Sequence, residues 1–165
     1  MVKPLFFFLS ILFVIVLDQW TKFEVIARFE YGESLSVIAN FFSLTYVRNT
    51  GAAFGFLATA NPTFRVPFFL IVPIVAMVVL GFLYRDLPAT ARWRAMALGL
   101  VSGGAIGNLI DRIRLGYVVD FLDFHYHNQY YFPAFNVADS AICVGVGILL
   151  LTNLLSKETH ASPSV

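Results

Sequence analysis

The sequence predicts an all-α membrane protein, a four-transmembrane-helix bundle with a small extracytoplasmic β-sheet in its first outer loop. Three observations carry this. The chain of 165 residues is 59% hydrophobic and only 13% charged, with a mean hydropathy of +0.78, whereas soluble domains run at about 45–50% apolar and about 25% charged. Four apolar segments approach the roughly 20 residues that cross a hydrocarbon core about 30 Å thick. One loop segment, Phe42-Ser43-Leu44-Thr45-Tyr46-Val47, alternates apolar and polar with the period of a half-buried strand. The length suits a single domain, 1–165. A net charge of +1 leaves no basic face for nucleic acid. The lone Cys143 excludes a disulfide framework and a multi-thiolate metal site.

The first helix, about 4–24, is apolar from Pro4 to Leu17 and then meets Asp18-Gln19-Trp20-Thr21-Lys22. Lys3 and the short apolar stretch have the look of a secretory leader. No small-x-small cleavage site follows, and three further spans come later, so an uncleaved first helix is expected. The outer sheet is expected over about 33–56, with Ser34 to Ile38 pairing with 42–47, Asn49-Thr50-Gly51 as turn chemistry, and Ala52 to Phe56 beyond. Val66 to Tyr84 supplies an uncharged second helix, 66–84, closed by Arg85 and Asp86. The third, about 95–113, carries Ser102 and Asn108 and ends in Asp111-Arg112. Leu115 to Pro133, rich in Tyr, Phe and His, belongs at headgroup level. The fourth helix, about 134–155, is interrupted only by Asp139, and His160 to Val165 reads as a frayed tail. Arg85, Arg92 and Arg94 mark the linker between helices two and three as cytoplasmic, which puts both termini inside. Lys22, Arg28, Arg48 and Arg65 in and beside the first outer loop weaken that count.

Ionised groups at mid-bilayer cost roughly 2.5–3.5 kcal/mol each on insertion scales, so their depth is informative. Asp18 and Lys22 lie near the outer end of helix one, four apart and able to pair. Asn108 and Arg112 fall in the outer third of helix three, Asn136 and Asp139 in the first outer turn of helix four. Three helices thus deliver polar groups to one leaflet, which suggests a site. Gly99, Gly103 and Gly107 form a small-residue stripe that helix packing explains. Gly104, Asn108 and Arg112 form a parallel one reaching the outer face.

Asp120 and Asp139 should both lie at the outer interface. Two carboxyls sharing a site cannot both ionise cheaply. Such a pair hydrolyses a peptide without a metal, one member taking a proton from water while the other hydrogen-bonds the scissile carbonyl. On spacing alone the plainer reading is preferred: Asn136 and Asp139 as a helix N-cap with an acid in the first turn, Asp120 and Asp123 as solvated loop residues. His125 and His127 form no H-E-x-x-H pair and are expected to be exposed at the interface. Ser102 has no histidine base within its helices. Cys143 in apolar surroundings should be inert. Two other classes stay open: an ion- or proton-coupled carrier using Asp18 and Asp139, and an assembly factor using the glycine stripe.

Five blocks in order make the pattern specific. They are Asp18-Gln19-Trp20-Thr21-Lys22; Asn49-Thr50-Gly51-Ala52-Ala53-Phe54-Gly55; Gly103 through Arg112 (GGAIGNLIDR); Val118-Val119-Asp120-Phe121; and Phe135-Asn136-Val137-Ala138-Asp139-Ser140. Together they resemble the lipoprotein signal peptidase (signal peptidase II) family of bacterial membrane aspartyl proteases, over nearly the whole chain. The resemblance implies a catalytic dyad of Asp120 and Asp139. It implies substrate contacts or site architecture at Asn49, Gly104, Asn108, Arg112, Asn136 and Ala138, and a structural motif at Asp18 and Lys22. It implies no cofactor and no metal. The implied substrate is a diacylglyceryl-modified prolipoprotein cut just before its lipidated Cys, reached through membrane lipid and blocked by globomycin-type inhibitors. The implied location is the bacterial cytoplasmic membrane, with the site facing outward.

Overall fold

Proline and apolar runs define where the helices begin and what they bury. The computed structural model describes residues 2–51, 56–127 and 129–158. Helix α1 (Lys3–Arg28) has Pro4 in its first turn, where no intrahelical N–H is lost. Helix α2 (Pro62–Asp86) opens on Asn61, whose side chain accepts from the Thr63 N–H at 2.9 Å. Helix α3 (Arg92–Leu115) ends at Gly116, whose left-handed φ of 81° returns its N–H to the Arg112 carbonyl. Helix α4 spans Val137–Glu158.

Lys3–Arg28, Pro62–Asp86 and Val137–Leu155 are long and apolar enough to cross a membrane. Helix α3 is different for a reason visible in its packing. It touches α1, α2 and α4, and it buries Ser102, Asn108 and Asp111 among its neighbours. Its polar side chains lower its apolar character without facing lipid. Helix α2 is the opposite case, with Phe69 its only buried residue among those described. The glycine stripe does set helix packing. A Cβ on Gly99 would sit 2.5 Å from the Phe7 carbonyl oxygen of α1, and one on Gly104 would collide with the Ala138 carbonyl oxygen of α4.

The sheet is antiparallel, with strand order β1 (Ser34–Ile38), β2 (Phe42–Asn49), β3 (Val118–Tyr126) and β4 (Tyr130–Tyr131). The first two strands lie where the alternation placed them. The expectation of a sheet confined to the first outer loop is corrected, because the second connection adds β3 and β4. Val47 pairs with Asp120 and Asn49 with Val118, past an irregularity between Leu44 and Val47. Residues 52–55 and the expected tail at 160–165 lie outside the described residues. Val25, Tyr46, Val119 and Phe121 form a core joining the end of α1 to the sheet. At the far end of the bundle Phe7, Ala95 and Leu98 pack together, and the Lys3 ammonium donates to the Leu87 carbonyl at 2.7 Å.

His125 is a second correction. It is buried, not exposed, because the β3–β4 hairpin folds Tyr131 onto its ring at 5.3 Å. His127 is exposed, as expected.

Candidate active site

Asp120 projects from β3 and is 1% exposed. The loop reading of this residue therefore fails. Its Oδ1 accepts from Asn136 Nδ2 at 2.7 Å and its Oδ2 from Asn49 Nδ2 at 2.9 Å. Asn49 is oriented by its own turn, since its Oδ1 accepts the Gly51 N–H at 2.9 Å.

Asp139 sits in the first turn of α4. Asn136 Oδ1 accepts the Asp139 N–H at 2.9 Å, and Asp139 Oδ2 accepts the Asn136 N–H at 3.3 Å. This reciprocal pair is a capping box, so the N-cap reading is correct as local structure. It does not compete with a site. The same Asn136 whose backbone meets Asp139 sends its side-chain amide to Asp120, and so spans both carboxyls.

Behind them lies a buried ionic cluster. Asn108 Nδ2 donates to Asp139 Oδ1 at 2.7 Å, while Asn108 Oδ1 accepts from Lys22 Nζ at 2.9 Å. Lys22 pairs with Asp18 as expected, at 2.9 Å, and also with Asp111 at 2.9 Å. Asp18 accepts the Ala138 N–H at 2.9 Å, and Asp111 accepts the Val119 N–H at 3.1 Å. The cluster thereby ties α1 and α3 to the two segments that carry Asp120 and Asp139. Asp111 is the residue the sequence reading missed. Its signal was its place three residues after Asn108, on the same side of α3.

Arg112 faces a cleft lined by Thr50, Arg65, Val66 and Phe69. Its guanidinium donates to the Gly51 carbonyl at 3.1 Å and lies 4.9 Å from the Phe69 ring centre. Gly104 and Ala138 meet at the α3–α4 contact. Of the residues singled out, Asp120, Asp139, Asn49, Asn108 and Asn136 are joined in one hydrogen-bonded set. Arg112 borders that set, and Asp18 and Lys22 stand behind it. Among the described residues no group of three or more His, Cys, Asp or Glu is placed to hold a metal.

Burial, and secondarily the charge of Asp139, pushes the Asp120 carboxyl up to about 7. A carboxyl near neutrality beside a second one, both held by amide donors, is equipped to give and take a proton at a shared substrate.

The family described as signal peptidase (SPase) II matches residues 10–155. A lipoprotein signal peptidase of Syntrophotalea carbinolica is 56% identical over 147 residues, 89% of each chain. One of Syntrophus aciditrophicus is 46% identical over 163 residues, covering 98% of this chain and 100% of its own. A bacterial membrane enzyme solved by the in meso method at 2.3 Å resolution superposes with a TM-score of 0.83 at 33% identity, over 95% of this chain and 92% of that one.

Proposed function

This chain belongs to the signal peptidase II family and is a protease of lipoprotein signal peptides; we propose that it cuts by aspartic chemistry, with Asp120 and Asp139 as the reacting carboxyls. The observation that carries this reading is the position of Asn136, 2.7 Å through its amide from Asp120 and 3.3 Å through its backbone from Asp139. In the proposed mechanism Asp120 holds the shared proton and hydrogen-bonds the scissile carbonyl. Asp139 takes a proton from water as the water oxygen attacks the carbonyl carbon. The tetrahedral intermediate then collapses, the C–N bond breaks, and the leaving amine receives that proton. Asn49, Asn108 and Asn136 hold the carboxyls, and Arg112 offers N–H donors to polar groups of the bound precursor. Gly104 and Ala138 set the α3–α4 spacing on which the pair depends.

The substrate in this reading is a prolipoprotein whose Cys already carries diacylglycerol, cut just before that residue. The same reading has four spanning helices, with the carboxyls at the outer surface of the bacterial cytoplasmic membrane, where acyl chains enter from lipid and water from outside. The test is gel-shift cleavage of a diacylglyceryl-modified precursor, with an unlipidated control and a globomycin-type inhibitor. Asp120→Asn and Asp139→Asn should each abolish cleavage while still inserting into the membrane. Near wild-type cleavage by either variant would overturn the assignment.

A further inference from the structure

Residues two apart on a strand share a face of the sheet, so Asp123 and His125 on β3 point the same way. On their face a groove of about 380 Å³ is lined by Ser34, Ser36, Ser43, Asp123, His125 and Tyr131. One buried polar atom in it is left wanting. The His125 side chain is 5% exposed, and its Nδ1 has no hydrogen-bond partner among the described residues. Asp123 Oδ2 accepts from Thr45 Oγ1 at 2.9 Å, and Thr45 in turn meets Ser34 Oγ at 2.8 Å. Asp123 Oδ1 faces His125 Nδ1 across 3.9 Å. Among the described residues no Lys or Arg forms an ion pair with Asp123.

The 3.9 Å gap discriminates between occupants. A donor nitrogen about 2.8 Å from both atoms subtends roughly 90° between them, within reach of the N–H directions of an ammonium. An ion of zinc's size, about 2.1 Å from both, would need roughly 135°, an angle that belongs to neither tetrahedral nor octahedral coordination. The carboxylate supplies the charge that favours a cation, and the serine hydroxyls supply further acceptors. Tyr131 is both a wall of the groove and an exposed ring, and Tyr126, Tyr130 and Phe132 are exposed beside it. Such rings sit at the level of lipid headgroups.

We propose that this groove binds the primary ammonium of a phospholipid ethanolamine headgroup, held between Asp123 Oδ1 and His125 Nδ1. Choline carries the same charge with no N–H, so methylation of the headgroup is a sharp probe. Native mass spectrometry of the full chain, released from micelles doped equally with phosphatidylethanolamine and phosphatidylcholine, should show retention of the ethanolamine lipid favoured by roughly tenfold, the scale of one charge-assisted hydrogen bond. Asp123→Asn and His125→Phe should each remove that preference. Equal retention of both lipids by the wild-type chain overturns the proposal, whether or not the variants fold. A preference unchanged in both folded variants overturns it too. Binding of a soluble lysine-containing peptide to wild type but not to Asp123→Asn, with no preference between the lipids, gives the groove to a polypeptide and overturns the lipid assignment. No cleavage is measured, so these outcomes are independent of the Asp120–Asp139 reading.

Discussion

Asn108 has both ends of its amide committed, and this fixes its polarity. An ammonium at 2.9 Å requires oxygen on the Lys22 side, which leaves the NH2 for Asp139 at 2.7 Å. Asn108→Asp removes that donor and sets a carboxylate against Asp139. Processing should fall by about 10²-fold, the cost of one lost oriented donor, in single-turnover assays. Lys22→Met leaves Asp18 and Asp111 buried without their cation. It should destabilise the fold by about 3–5 kcal/mol, measured by denaturant unfolding in micelles. Asp120 makes a pH prediction of definite sign. Folded, it keeps its proton up to about 7; unfolded, it releases it near 3.8. Between those values the unfolded state binds fewer protons, so this residue's contribution to stability is full below 3.8 and is lost as pH rises through about 7. Cleavage should decline over the upper part of that range as the neutral form disappears. Thermal unfolding followed across the interval should lose this slope in Asp120→Asn.

Between elements, the decisive contact is α3 against α4. A Cβ on Gly104 would meet the Ala138 backbone and would lie 2.7 Å from Ile142 Cγ1. The backbone contact can be relieved only by moving α4, which carries Asp139 off Asn108. Gly104→Ala should therefore cost about 10²-fold in cleavage rate, the scale of a misplacement near 1 Å. Gly81→Ala, with nothing within 4 Å, should retain full activity. The same contrast explains what was legible in the sequence. Helices α1, α2 and α4 face lipid, so their apolar runs announce them, and β1 and β2 announce themselves by alternation. Strand β3 does not, because Val118, Val119, Asp120 and Phe121 are buried in succession and no two-residue period survives. With β3 hidden, the burial of His125 and of Asp120 was hidden as well. The link from Asp120 to Asp139 through Asn136 could not come from spacing, since Asn136 precedes α4 and sends its amide back to β3. Only the ordered blocks pointed to it.

Across the whole molecule, polarity is segregated along the bundle. The ionic cluster and the sheet occupy one end, while the other buries Phe7, Ala95 and Leu98. A carrier needs a polar path through both ends, so proton flux in liposomes containing the chain should match that of empty liposomes. Orientation follows from the same segregation. Lys3 binds the Leu87 carbonyl at 2.7 Å and lies 4.5 Å from the Tyr84 ring centre, which holds the start of α1 beside the α2–α3 connection. If α3 spans as well, both termini and that connection share one side, and the sheet lies on the other. We propose, from the arginines at 85, 92 and 94, that the shared side is the cytoplasmic one. In a Cys143→Ala background, a single thiol at exposed Val37 (Val37→Cys) should react with an impermeant maleimide on intact spheroplasts. One at exposed Thr90 (Thr90→Cys) should react only after the membrane is opened. Labelling of Thr90→Cys from outside would invert the molecule and place Asp120 and Asp139 on the cytoplasmic surface. There a precursor whose signal peptide has already crossed could not present its cleavage site to them.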